Sequence, residues 1–169
     1  VTVVILDRPR HQEIIEQVRS AGARIKLITD GDVSPAVAAA YDNSGVDILM
    51  GIGGAPEGVI TAVALKCLGG DFQARLYPEG EEAEEEIRRC HEMGITNVNK
   101  IFTIDELARS DDVIFAATGI TDSFLLNGVR YTQTLVMRSK SGTIRHIEAT
   151  HHPDKKPLFK DERIKLKLD

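Results

Sequence analysis

The amino-acid sequence predicts an α/β fold, a mixed and largely parallel sheet flanked by helices. Two observations carry this expectation. Residues 1–68 alternate β-branched apolar runs with helix-patterned runs in the order β-α-β-α-β-α. Short connections of that kind imply parallel strands with right-handed crossovers. Near the other end, "TQTLVMRSK" and "GTIRHIEATH" meet at Ser141-Gly142, as the two strands of a hairpin do.

Each element has its own signal. "VTVVILD" (1–7) is a β-branched run. In 10–22, Ile14, Ile15 and Val18 share one helical face and Gly22 offers a stop. "ARIKLITD" (23–30) alternates as a strand does, and 34–45 reads as a helix with Ser34 as N-cap and Pro35 at its first position. "VDILMGI" (46–52) is a third strand and 56–68 a third helix. Residues 71–77 suit a strand and 79–94 a helix whose acidic first half and later Arg88 and Arg89 match the helix dipole. Residues 100–110 read as a short strand and a short helix capped by Thr103, and 111–120 as a buried strand ending in Thr-Gly. The domain is expected over residues 1–152, with a charged, loose tail over 153–169.

Composition narrows the classes of function. A chain of 169 residues is one domain, large enough for a true core, and its 42% apolar and 28% charged residues are ordinary for a globular protein. A net charge of −5 argues against nucleic acid as a partner. No apolar run approaches the roughly 18 residues that span a bilayer, and no signal-peptide pattern is present, so no membrane partner is expected. Cys67 and Cys90 lack metal spacing and fall in helical patterns, which suits reduced thiols in a cytoplasmic setting.

The chemistry gathers at one edge. In parallel strands all carboxyl ends lie together, and open α/β sheets bind ligands there. The first strand ends in "DRPRH" (Asp7 to His11), the second in Asp30-Gly31-Asp32, and the third in "GIGGAPEG" (51–58). Arginine presents a planar fork matched to phosphate oxygens, and Pro9 would hold Arg8 and Arg10 at a set angle. Carboxylates beside a phosphate site need neutralising. A sugar's hydroxyls can donate to Asp30 or Asp32, and a divalent cation can be held by Glu57, a hard oxygen ligand.

Plainer readings stand beside these. Arg8 and Arg10 could be surface charges, Asp30-Gly31-Asp32 a turn and helix cap, and Glu57 a dipole partner in a first helical turn. The glycine loop fits no known nucleotide motif. Pro56 stands where G-x-G-x-x-G needs its last glycine, and Val59 follows Gly58 where a P-loop needs lysine. The five histidines have no ligand spacing, and His11 is read as a non-catalytic helical residue.

These segments also resemble a known family. "DRPRH", "GARIKLITDGDVSPAV", "DILMGIGGAPEGVITAVALKCLGG", "EMGI", "FAATGIT", "LLNGVRY" and "TQTLVMRSKSGTIRHIEATHH" resemble the C-terminal half of class II fructose-1,6-bisphosphatases. Those enzymes belong to the lithium-sensitive, metal-dependent phosphomonoesterase superfamily. The resemblance runs to about His152, and it implies one lobe of a two-lobed αβ sugar phosphatase fold. It implies phosphate contacts for Arg8, Pro9 and Arg10, substrate contacts for Asp30, Gly31, Asp32 and Gly54, and metal ligation by Glu57. The family's other metal ligands, on a Gly-Glu-Gly-Glu and an Asp-Pro-x-Glu-Gly-Thr segment, do not occur in this sequence. At Tyr131-Thr132 the sequence also omits a short glycine-rich stretch of the family pattern.

The activity so implied is metal-dependent hydrolysis of the 1-phosphate of fructose 1,6-bisphosphate to fructose 6-phosphate, a step of gluconeogenesis, with Mg²⁺ or Mn²⁺ as cofactor. No catalytic residue is assigned to this half, and the polypeptide by itself is expected to be inactive. Its implied partners are the sugar bisphosphate, an N-terminal half of the same enzyme, and further copies in a homo-oligomer. Two alternatives are a non-catalytic sugar-phosphate-binding lobe and activity on sedoheptulose 1,7-bisphosphate.

Overall fold

The computed structural model of the protein describes residues 1–122, 125, 126, 128 and 131–152. The charged tail expected over 153–169 lies outside the described residues. The first unit is a parallel sheet in the order β2-β1-β3, made of β1 (Thr2–Leu6), β2 (Arg24–Ile28) and β3 (Ile48–Leu49). The register sets Leu6 beside Ile28 and Val4 beside Leu49, so all three carboxyl ends reach the same edge.

β-Branched residues make β1, and burial on both faces makes it central. Val3 and Ile5 pack against Ile15 and Val18 of helix α1 (Gln12–Ser20). Val4 and Leu6 pack on the opposite face with Ile28 and Val46. At roughly 25 cal/mol per Å² of apolar surface, each such side chain stabilises the sheet by about 1.5–3 kcal/mol.

Helix α2 (Val33–Ala38) starts earlier and stops sooner than the sequence suggests. Its N-cap is Asp32 rather than Ser34, and Pro35 lies within the first turn, where a missing N–H costs nothing. The rest of the expected helix, 39–45, turns away through Asn43 and Gly45, at φ +62° and +74°. The third strand shrinks to two residues because Gly51, Gly53 and Gly54 lead directly into helix α3 (Ala55–Leu68).

The remaining strands do not extend the parallel sheet. β4 (Gln73–Arg75) pairs antiparallel with β5 (Ile101–Thr103), after helix α4 (Ala83–Glu92). Short helix α5 (Ile104–Leu107) follows, with the Glu106 carboxylate accepting from the Thr103 N–H at 3.1 Å. β6 (Ile114–Thr118), β7 (Tyr131–Arg138) and β8 (Thr143–Thr150) form an antiparallel sheet, and Gly142 closes the expected hairpin. The class is α/β, as expected, but the strands divide among three sheets instead of one. The 111–120 strand is buried on one face only: Phe115 is enclosed, while Ile114 is 66% exposed.

Helix α3 joins these units. Ala64 and Cys67 share a core with Val37 of α2 and with Phe115, Leu135 and Met137 of the third sheet. Both described cysteines are free, and burial pushes the Cys67 thiol up, which leaves it unreactive. Among the described residues no helix is long and apolar enough to cross a membrane.

Candidate functional site

The carboxyl edge of the parallel sheet carries three consecutive turns, and hydrogen bonds tie them together. After β1 the chain enters a 3₁₀ turn, Pro9–His11, with Pro9 at its start. Arg8 reaches sideways to the second turn, where its Nη2 donates to the Thr29 carbonyl at 2.7 Å. Arg10 reaches the other way, and its Nε donates to the Ile52 carbonyl at 2.9 Å. Among the described residues the terminal nitrogens of Arg10 have no hydrogen-bond partner, so its outer donors are available to an anion. The two guanidinium groups thus bridge the turn after β1 to the loops on either side.

The acidic residues stand around them. Asp30 accepts from the N–H of the next residue, Gly31, at 2.9 Å, and Gly31 turns the chain at φ +78°. Asp32 occupies the N-cap of α2, yet its side chain makes no cap hydrogen bond. It leans toward the glycine loop instead: a Cβ on Gly53 would lie 3.0 Å from its Oδ2. Glu57, exposed in the first turn of α3, folds back over the loop so closely that a Cβ on Gly54 would collide with its Oε2. Neither carboxylate has a hydrogen bond or ion pair among the described residues.

Gly51, Gly53 and Gly54 have no positive φ. Each has a side chain close to the place a Cβ would take: the His11 imidazole lies at an ordinary contact distance of 3.4 Å at Gly51, and the mobile ends of Asp32 and Glu57 lie against Gly53 and Gly54.

The structure brings together every residue singled out in the sequence: Arg8, Pro9, Arg10, Asp30, Gly31, Asp32, Gly54 and Glu57. Asp32 is the N-cap of α2 by position, although its side chain makes no cap hydrogen bond, and Arg8 and Arg10 are exposed side chains tied to neighbouring loops by one backbone carbonyl each. The sequence reading missed His11. Its ring is fully buried at the end of the Pro9–His11 turn and lies between that turn and the glycine loop. Only its place directly after Arg10 marked it in the sequence, because its partners are five and 41 positions away.

The donor set admits a hard cation. Glu57 is an exposed carboxylate over the glycine loop, and an oxygen donor of this kind suits Mg²⁺ or Mn²⁺. Among the described residues no group of three or more His, Cys, Asp or Glu side chains is clustered to hold a metal ion. Glu57 can therefore supply one corner of a cation site.

Comparison with known proteins matches residues 1–151 to the family described as bacterial fructose-1,6-bisphosphatase, glpX-encoded. A protein of Synechococcus sp. (strain JA-3-3Ab), called D-fructose 1,6-bisphosphatase class 2/sedoheptulose 1,7-bisphosphatase, is 49% identical over 168 residues, covering 90% of this chain and 48% of its own. A protein of the same name from Microcystis aeruginosa (strain NIES-843 / IAM M-2473) is 47% identical over 164 residues, covering 88% and 48%. The chain spans about half the length of the curated relatives it matches.

Proposed function

The chain belongs to the bacterial, glpX-encoded fructose-1,6-bisphosphatase family, and from that premise we propose that it provides the substrate-binding edge and one metal ligand of a sugar bisphosphatase. The observation that carries this reading is the anchored pair Arg8 and Arg10 beside two unpaired carboxylates, Asp32 and Glu57, on one sheet edge. The guanidinium groups hold the phosphate that is retained, the 6-phosphate of fructose 1,6-bisphosphate. Each charge-assisted hydrogen bond contributes about 1.5–3 kcal/mol. Asp30 and Asp32 accept from sugar hydroxyls and orient the far end of the substrate. Glu57 holds a divalent cation at the 1-phosphate. When bound, Mg²⁺ or Mn²⁺ polarises the phosphoryl group and generates a nucleophile from water. The remaining ligands come from residues beyond those described.

The relatives' name supports sedoheptulose 1,7-bisphosphate as a second substrate. One added hydroxymethylene lengthens the sugar without changing its two phosphate ends, and the arginines and Glu57 are exposed at an open edge.

The test is a metal titration of Glu57→Gln in the natural-length protein. Expected are a kcat lower by orders of magnitude and a higher metal concentration for half-activation, with little change in Tm. A plain dipole role predicts the reverse, a stability loss of roughly 0.3–1 kcal/mol with normal turnover. An unchanged kcat together with an unchanged metal midpoint would refute ligation by Glu57.

A further inference from the structure

We propose that His11 is a positioning residue that clasps the glycine loop to the arginine turn and so fixes the distance between the phosphate anchor and the Asp32–Glu57 carboxylates. The proposal rests on the functional reading above for its consequence in substrate binding, but its geometry stands apart from it.

His11 is fully buried, and both ring nitrogens are engaged. Nδ1 lies 2.7 Å from the Leu6 carbonyl, at the end of β1. A carbonyl can only accept, so Nδ1 carries the proton. Nε2 lies 2.8 Å from the Ile52 nitrogen and 3.1 Å from the Ile52 carbonyl oxygen; the N–H can only donate, and this shorter contact takes the Nε2 lone pair, so Nε2 is bare. The ring is therefore the neutral Nδ1–H tautomer. The adjacent Arg10 takes the other side of the same residue, with its Nε on the Ile52 carbonyl. Two neighbouring side chains thus grip Ile52 by its N–H and its C=O, one residue before Gly53 and Gly54.

The packing keeps the ring in place. Gly51 brings its backbone against the imidazole, where a Cβ would sit 3.4 Å from Cε1 and Nε2. An apolar residue of the same volume would fill the space but leave the Ile52 N–H and a Leu6 lone pair without partners in a dry setting. Sliding the glycine loop by about one ångström would carry Gly53, Gly54 and the adjoining Glu57 away from the turn after β1, and would shift them against Asp32, which stands on the separate turn after β2. Misplacement on that scale is enough to weaken a bound phosphate.

The experiment uses the natural-length protein with His11→Gln and His11→Asn. A glutamine oxygen can stand in for Nε2 and accept from Ile52, whereas asparagine reaches only the Nδ1 position. We expect KM for fructose 1,6-bisphosphate and Kd for inorganic phosphate to rise roughly three- to tenfold in His11→Asn, the size of one lost hydrogen bond. His11→Gln should restore most of that loss. A filler role would lower Tm in both variants and leave KM and Kd of the folded protein alone. That result, or equal KM in both variants, would overturn the proposal. In the parent protein, ¹⁵N shifts of the imidazole should report the Nδ1–H tautomer, and the Ile52 amide should be protected from exchange. An Nε2–H or doubly protonated ring, or a rapidly exchanging Ile52 amide, would overturn it even if the variants fail to fold. Absence of bisphosphatase activity in the parent would count against the proposed function alone, because phosphate affinity, tautomer and amide exchange still decide the clasp.

Discussion

At the scale of single residues, anchoring separates a binding arginine from a surface one. A free surface arginine loses rotamer entropy on gripping an anion, at a cost of up to about 2 kcal/mol. Arg10 has already lost part of that freedom through its Nε bond to Ile52, so its outer nitrogens are aimed before any ligand arrives. Arg10→Ala in the natural-length protein should therefore raise KM roughly ten- to a hundredfold, about 1.5–3 kcal/mol, and weaken competition by inorganic phosphate. A KM within about twofold of the parent would show that Arg10 serves only its Ile52 contact.

At the scale of elements, short strands and turns depend on ties between distant positions. Arg138, at the end of β7, forms a paired contact with Asp112 before β6, with Nε at 2.7 Å and Nη2 at 2.6 Å from the two carboxylate oxygens. Hydrogen bonds from Arg138, reinforced by its charge, hold the Asp112 carboxyl below the usual carboxylate range. A carboxyl whose folded pKa is depressed adds stability above its unfolded value, near 3.9, and loses it as pH falls through the folded value. Arg138→Met should thus lower Tm at pH 7, with the difference from the parent shrinking as acid protonates Asp112. Thermal melts between about pH 7 and pH 2 check this; a gap that persists at the acid end would assign the effect to packing of the Arg138 stem.

At the scale of the whole molecule, the described residues bury three apolar clusters yet leave sizeable apolar side chains in water. Ile48 and Met50 at the β3 edge are 45% and 42% exposed, and Ile60 on α3 is 48% exposed. With Glu57 as the one proposed metal ligand and no group of three or more ligating side chains clustered among the described residues, the 169-residue chain expressed alone should turn over no fructose 1,6-bisphosphate. It should still bind inorganic phosphate through Arg8 and Arg10. Phosphate titration and an activity assay on a preparation of verified mass check both halves. Turnover by the chain alone would show that its described carboxylates suffice.

Sequence alone determined what local forces control. The β-branched run of residues 1–7, the periodic Ile15 and Val18, and the Gly142 turn each act within a few positions, and they formed as expected. The convergence of Arg8, Asp32 and Glu57 was legible too, because parallel strands have only one carboxyl edge. Only the tertiary structure decided how the strands divide among three sheets, since the strand pattern alone does not say whether β6 pairs with its chain neighbour β7 or joins the distant β1. It also decided the role of His11. A histidine after an arginine carries no local signal of burial, and the Leu6 carbonyl and Ile52 N–H that fix its tautomer meet only when the sheet closes. Spacing records which residues share a face, whereas hydrogen bonds between loops depend on positions that the packed core alone sets.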